Sequence, residues 1–247
     1  MSILVFQHAA AENPGSFRDL FRDDGFATHT VEFDREQEIP NLEAFDFMLV
    51  MGGPQDVWQE NEYPWLKREK AAIRKFVVEM RRPFLGICLG HQLLAEAVGG
   101  KVAPAKTPEI GVFANSKTEL GRRDRVFGTL PDPYKVLQWH GAEVTALSEG
   151  SDLLASSAAC RVQAFRYGDR AYGLQGHVEA TRDTVPNWAR IPEYENSSDP
   201  AYQKDAIDKL SRDVESNLAH INSVARSLYL NLIFPAIGGM FHLGSAR

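Results

Sequence analysis

The stretch Pro83-Phe84-Leu85-Gly86-Ile87-Cys88-Leu89-Gly90-His91-Gln92 reads as a buried strand, a sharp turn and the first turn of a helix. A reactive side chain at the end of a buried strand must be thrown outward by a tight turn into the following helix. Glycines two places either side of Cys88 let that backbone close without a side-chain clash, the logic of the Gly-x-Ser-x-Gly elbow. The helix N-terminus favours negative charge beside the sulfur, so a thiolate is stabilised there. With two cysteines and 19 glycines in 247 residues, chance yields about 0.012 copies of Gly-x-Cys-x-Gly. Cys88 is therefore the candidate nucleophile. The alternative reading of a single cysteine, a small buried hydrophobe, suits Cys160, which lies in Ala158-Ala159-Cys160-Arg161 with no elbow around it.

Around this turn, strand-like and helix-like segments alternate. Ile3 to Gln7, Ala27 to Phe33, Phe45 to Met51 and Pro83 to Cys88 read as strands. Ser16 to Asp24, a segment opened by Pro64, and Leu89 to Val98 read as the helices between them, the last stopped by Gly99-Gly100. That alternation predicts an α/β fold, an open and mainly parallel sheet with helices on both faces, flavodoxin-like in plan. Shorter extended pieces follow at Ile110 to Phe113, Tyr134 to Trp139, Val162 to Tyr167 and Ala171 to Gln175, some of them expected to run antiparallel. Residues 183–203 are polar and carry Pro186, Pro192 and Pro200, which suits a loop or linker. Ile207, Leu210, Val214, Leu218, Ile221, Ala225 and Leu228 then recur at helical spacing, one long amphipathic helix whose stripe is expected to pack on the sheet, with partner binding as the alternative. The organisation expected is an α/β domain over 1–182 and a linker with a C-terminal helical extension over 183–247.

A thiolate needs a base, and the base needs a group that fixes its tautomer. His177-Val178-Glu179 ends a strand-like run, and in extended backbone residues two apart point to the same side, so the carboxylate can orient the imidazole. About 0.9 copies of His-x-Asp/Glu are expected by chance, so this pair gains weight only from its place in the fold. Of the other histidines, His91 is expected under the turn, His140 beside a pocket, and His8 at the surface or mouth after the first strand. His29, His220 and His242 have no supporting context. Acyl transfer also needs amide donors for an oxyanion. Leu89 offers one, and Gly52-Gly53-Pro54, after another parallel strand, offers a second at Gly53, or is simply a tight turn.

Composition narrows the function classes. The chain is 44% hydrophobic and 24% charged, neither disordered nor fibrous. With 27 basic against 33 acidic residues the net charge is -6, which argues against a nucleic-acid-binding surface. The basic cluster Arg122-Arg123-Arg125 is short and is expected to be a solvated loop. No C-x-x-C spacing suggests zinc, and no apolar run approaches a membrane span; Leu228 to Phe241 comes nearest but holds Asn231 and Pro235. A cytoplasmic, reduced protein without metal is expected.

Taken together, Met51-Gly52-Gly53-Pro54, Gly86-Ile87-Cys88-Leu89-Gly90-His91-Gln92, Gln138-Trp139-His140-Gly141 and Gln175-Gly176-His177-Val178-Glu179 resemble the class I, triad-type glutamine amidotransferases over about residues 1 to 182. The chain is similar to the glutaminase domain of GMP synthase and to stand-alone members that include γ-glutamyl peptidases, which the start Gln7-His8 and Glu12-Asn13-Pro14-Gly15 also resembles. The resemblance implies Cys88 as nucleophile, His177 as base and then acid, and Glu179 as its orienter. It implies an oxyanion hole from the amides of Gly53 and Leu89, and an α-amino acid site at Gln92, Trp139 and Gly141, with no metal or organic cofactor. Two departures stand out: many relatives carry an aromatic residue where this chain has Gly176, and proline where it has Val178. Glycine there is expected to loosen the base or widen the pocket.

No synthetase motif of the Ser-Gly-Gly-x-Asp-Ser kind is present. The resemblance thus leaves three functions. One is a glutaminase whose ammonia goes to a separate synthetase partner, and another is a γ-glutamyl peptide or amide hydrolase. The third is catalytically silent and binds a partner through its C-terminal helix.

Overall fold

The computed structural model describes residues 2–238, and its nine strands form a mixed sheet in the order β2-β1-β3-β4-β9-β8-β7-β5-β6. The strands are β1 (Ser2–Gln7), β2 (Ala27–Glu32), β3 (Phe47–Val50), β4 (Phe84–Ile87), β5 (Lys101–Lys117), β6 (Tyr134–Ala146), β7 (Ser151–Ser156), β8 (Ala164–Tyr167) and β9 (Ala171–Leu174). From β2 to β9 every pairing is parallel, and beyond β9 every pairing is antiparallel. The parallel half thus has the 2-1-3-4-5 order of doubly wound sheets, in which ligands sit outside the strands' C-terminal ends.

Alternation along these strands sorts the core into two layers. Ile3, Val5, Phe47, Leu49, Leu85 and Ile87 face one side, where they meet Phe17 and Phe21 of α1 (Phe17–Asp23). Leu4, Phe6, Met48, Val50 and Phe84 face the other, against α2 (Trp65–Arg74) and α3 (Leu89–Ala97). Phe76 and Val77 lie in a wider turn, Lys75–Glu79, that continues α2. The helix-on-both-faces expectation holds.

Two expectations change, and one strand is added. The Arg122-Arg123 cluster is not a loop: it closes α4 (Glu119–Arg123), whose N-terminus is capped by Thr118 Oγ1 accepting from Gly121 N at 3.0 Å. Arg122 and Arg123 pair with Asp132 and Glu119, so local charge pairing stabilises a turn that composition made look loose. Strand β7 carries Ser151, Asp152 and Ser156, too polar for apolar patterning to mark, and is fixed by pairing with β5 and β8. Residues 183–203 are not a linker either. They form α5 (Thr184–Trp188), α6 (Pro192–Glu195) and a short turn at Pro200–Tyr202, and Val185, Trp188 and Ile191 are buried against Leu137 and Trp139 of β6. Three prolines shape this segment without preventing it from packing, because each stands at or beside a helix start where no N–H is needed.

The long helix is α7 (Lys204–Leu228), and the buried face carries Ile207, Leu210, Val214, Ile221, Val224, Ala225 and Leu228. Its first half joins Trp139 and Trp188, and its second half joins Phe17, Phe21 and the sheet. The stripe is consumed by the chain's own core. After Leu228 the helical path continues through Tyr229–Ile233 into α8 (Phe234–Gly238); the rest of the apolar stretch to Phe241, and His242, lie outside the described residues.

Candidate active site

Four neighbouring parallel strands deliver the chemistry-bearing residues to one edge. His8 follows β1, Gly52 and Gly53 follow β3, Cys88 follows β4, and His177 and Glu179 follow β9.

The turn at Cys88 is built as its glycines require. Cys88 has φ 51° and ψ −106°, a conformation that non-glycine residues rarely adopt and that persists only where the surroundings enforce it. A methyl group at Gly86 would stand 2.3 Å from the Gly90 carbonyl oxygen, and one at Gly90 would stand 2.3 Å from that of Val50. The turn's backbone is therefore in contact with its own helix and with the end of β3 where side chains would be. Cys88 N donates to Leu174 O at 2.8 Å and Gly90 N to Met51 O at 3.1 Å, which ties the turn to the ends of β9 and β3.

His177 and Glu179 lie beside it. His177 Nδ1 and Glu179 Oε1 are 2.8 Å apart, and both side chains are buried. Gly52 leaves room for the imidazole beside the cysteine: a methyl group there would lie 2.8 Å from His177 Cε1 and 3.5 Å from Cys88 Cβ. Burial works against charge on His177, but the Glu179 carboxylate and the Cys88 sulfur outweigh it and hold its pKa well above the ordinary 6.5. The sulfur lies 3.8 Å from the Trp139 carbonyl oxygen, to which its S–H donates, and receives Gln175 Nε2 at 3.7 Å. Gly15, with φ 52°, closes the far side: Ser16 N donates to Glu179 O at 2.9 Å, and a methyl group at Gly15 would fall 2.0 Å from that oxygen. The Pro14-Gly15 turn thus braces the residue that orients the imidazole.

A cavity of about 190 Å³ opens at Cys88, walled by Gly53, Leu89, Gln92, Trp139, Gly141 and, from the C-terminal extension, Tyr194 and Tyr202. No acceptor among the described residues takes the amide N–H of Gly53 or of Leu89. Gln92 Nε2 donates to Ala142 O and to Gln175 Oε1, both at 3.1 Å, which locks the end of β6 against that of β9. The Trp139 indole packs against Trp188, Tyr194 and Tyr202. The two tyrosines stack with centroids 5.3 Å apart, and burial drives the Tyr194 hydroxyl well above its usual pKa, so it stays neutral.

Several sequence readings can now be placed. His91 packs under the turn, edge-on to Phe165 at 5.0 Å, and burial lowers its pKa to about 3, so it carries no charge. His140 lines the cavity and reaches Glu109 at 3.2 Å. Glu109, His140 and Cys160 stand close enough to share an ion, but Glu109 is already engaged by Gln163 Nε2 at 2.7 Å and Ser157 Oγ at 3.3 Å. Burial also pushes the Cys160 thiol up to about 12, which keeps it protonated and a poor ligand. The expectation for His8 is overturned: it is fully buried, with Nδ1 2.8 Å from Gly52 O and Nε2 2.9 Å from Glu69 Oε1. The expectation for Gly176 changes too. A methyl group there would meet Val136 Cγ2 at 2.5 Å and Gln138 Nε2 at 2.9 Å, so the glycine accommodates β6 and opens no space towards the sulfur.

Sequence reasoning missed Glu12, Trp188, Tyr194 and Tyr202. Glu12 is buried, and burial raises its carboxyl to about 7 despite the nearby histidines. The Glu12-Asn13-Pro14-Gly15 run held the signal for the first; for the aromatics, their density within a polar segment was the available one.

The sequence model of the family "Glutamine amidotransferase class-I" matches residues 16–186. A glutamine amidotransferase-like protein of Salmonella typhimurium, YfeJ, is 33% identical over 191 residues, covering 75% of this chain and 78% of that one. Gamma-glutamyl peptidase 4 of Arabidopsis thaliana is 34% identical, over 66% of this chain and 63% of its own. One subunit of the glutamine-hydrolyzing GMP synthase of Methanothermobacter thermautotrophicus is 38% identical over 53% of this chain and 64% of its own. Among solved structures, a glutamine amidotransferase from Methylobacillus flagellatus superposes with a TM-score of 0.83 at 28% identity, covering 94% of each chain. No described helix is long and apolar enough to cross a membrane. On the family match, the relatives and the shared fold, the chain belongs to the class-I glutamine amidotransferases.

Proposed function

We infer that the chain hydrolyses the γ-amide of glutamine through a cysteine thioester. The observation that carries this reading is the Glu179–His177 pair at 2.8 Å beside the strained Cys88 turn, on one cavity. Cys88 Sγ attacks the amide carbon, and the amides of Gly53 and Leu89 receive the developing oxyanion. His177, charged by the thiol proton, protonates the nitrogen as the C–N bond breaks, and ammonia leaves. Water then attacks the γ-glutamyl thioester, His177 takes its proton, the C–S bond breaks and glutamate departs. Glu179 holds the imidazole in the tautomer that serves both steps. Gln92, Trp139 and Gly141 hold the α-amino acid end. The chemistry calls on no metal or organic cofactor.

The small cavity and its tyrosine cover favour a substrate of single-amino-acid size. A second reading, hydrolysis of γ-glutamyl peptides or amides, has its own support. A cavity of about 800 Å³ begins at Pro54 and Gln55, which it shares with the first, and gives a larger leaving group a place to lie. The peptidase relative points the same way. Free glutamine and γ-glutamyl dipeptides, offered side by side with mass-spectrometric trapping of the acyl-enzyme, separate the two. Strong dipeptide turnover with negligible glutaminase activity overturns the first reading, and absence of any adduct at Cys88 overturns both in favour of a catalytically silent protein.

The similarity to one component of a GMP synthase supports a separate synthetase partner as the consumer of ammonia. We treat residues 1–182 as the catalytic unit and 183–247 as its extension, in which Tyr194 and Tyr202 cover the cavity. Two free cysteines suit the reducing cytoplasm.

A further inference from the structure

We propose that His8, clamped by Glu69, is a positioning residue for the oxyanion-binding peptide: it grips the Gly52 carbonyl and thereby orients and polarises the Gly53 amide. This rests on the role proposed for Gly53 as an oxyanion donor.

The Gly52–Gly53 link is a trans peptide, since the described chain's one cis bond is Asp132–Pro133. Its C=O and N–H therefore point in opposite directions, and whatever holds the oxygen sets the direction of the N–H. Gly52 has no freedom to become a stiffer residue. A methyl group there would collide with Glu12 Oε2 at 2.7 Å and His177 Cε1 at 2.8 Å. Two consecutive glycines are the softest backbone a chain can offer, yet an oxyanion donor must be fixed before the reaction begins. His8 supplies the missing constraint, with Nδ1 2.8 Å from Gly52 O.

The direction of the hydrogen bond follows from the partners. A carbonyl oxygen only accepts, so Nδ1 carries a proton and donates. Nε2 faces Glu69 Oε1 at 2.9 Å, and a carboxylate also only accepts, so Nε2 donates as well and the ring that satisfies both partners is the imidazolium. The ring packs against both Phe33 and Trp65, with centroids 5.8 and 5.4 Å distant, and those two stack on each other at 4.9 Å, which restricts its swing. A charged donor on the carbonyl draws electron density from the peptide and strengthens the N–H on its other side.

His8 and Glu69 are both fully buried. A water-excluded ion pair is a poor stabiliser compared with apolar side chains of similar volume, so packing alone gives no reason for one beside the nucleophile. A grip on the peptide that receives the oxyanion does. The site was built from two distant parts of the chain, β1 and α2, which is why neither segment announced it.

The test compares three variants of the full chain. Asparagine places its amide N–H where His8 Nδ1 stands, glutamine places it where Nε2 stands, and leucine places nothing. Turnover of the substrate that the wild type hydrolyses is divided by the number of Cys88 sites titrated with a diazo-ketone glutamine analogue. His8→Leu and His8→Gln are expected to lose about 10- to 100-fold in kcat per titrated site with KM nearly unchanged, because the oxyanion contact is made only in the transition state. His8→Asn is expected to recover most of that loss. Equal losses in Asn and Gln variants, a change in KM alone, or full kcat per site in His8→Leu would overturn the proposal. Should leucine prevent folding, the Asn–Gln comparison decides by itself. A wild type that neither turns over nor labels at Cys88 overturns the underlying function, an outcome distinct from any difference among variants.

Discussion

His177 packs edge-on against Trp188, with ring centroids 4.5 Å apart and planes inclined by 64°. The proposed base is thus walled by the C-terminal extension and oriented by the α/β body. Trp188 is itself anchored, its Nε1 donating to Ala11 O at 3.1 Å. The aromatic neighbour that many relatives place immediately before the histidine has no room in this chain, where Gly176 meets Val136 and Gln138.

Adding bulk at Gly176 therefore costs stability. Gly176→Ala is expected to lose about 1–3 kcal/mol, because Gln138 is fixed by its 2.6 Å bond to Gln163 and Val136 has no slack. Urea unfolding midpoints measure this, and an unchanged midpoint would contradict the packing described for β6.

Cys88→Ser is expected to abolish turnover while keeping the fold, since a hydroxyl fits the same space and keeps the turn. Circular dichroism and a trapping assay check the two halves separately. Wild-type rates in this variant would exclude the thioester mechanism.

Glu179→Gln keeps a hydrogen bond to His177 Nδ1 but withdraws the negative charge that offsets burial of the imidazolium. The pKa of His177 is then expected to fall, with kcat down about 10²- to 10⁴-fold. A pH–rate profile reads both effects, and an unaltered profile would show that Glu179 does not set the state of the base.

Glu12 links stability to pH. Burial raises its carboxyl from 4.5 to about 7, opposed by His177 and His8 and reinforced by Glu179. Below pH 4.5 folded and unfolded chains both hold the proton. Between that pH and about 7 the unfolded chain releases it first, so this group's contribution to stability falls as pH rises and is gone above 7. Glu12→Gln is expected to be more stable than the parent at pH 8 by roughly 1–3 kcal/mol and nearly matched at pH 4.5. Urea midpoints at both pH values test it, and equal differences at the two would dismiss the effect.

The nucleophile turn was legible because its constraints are local. Gly86 and Gly90 stand two residues from Cys88, and a side chain at Gly86 would strike Gly90 within the strand–turn–helix path itself, while one at Gly90 would strike Val50 of the neighbouring β3. The same holds for the strands of the parallel half and for α7, whose apolar spacing reports the period of the backbone. His177 and Glu179 were legible as a pair through strand alternation, although their approach to Cys88 depends on β9 lying next to β4.

What the amino-acid order alone settled was thus the elbow, the element periods of the parallel half and of α7, and the partnership of His177 with Glu179. Folding in three dimensions decided what surrounds them. It buried His8 on Glu69, laid Tyr194 and Tyr202 over the cavity, and set Gly176 against β6. The physical reason is that a polar or aromatic side chain has no fixed burial of its own. Its surroundings come from segments far along the chain, and only their packing determines whether a histidine meets solvent, a carboxylate or a peptide carbonyl.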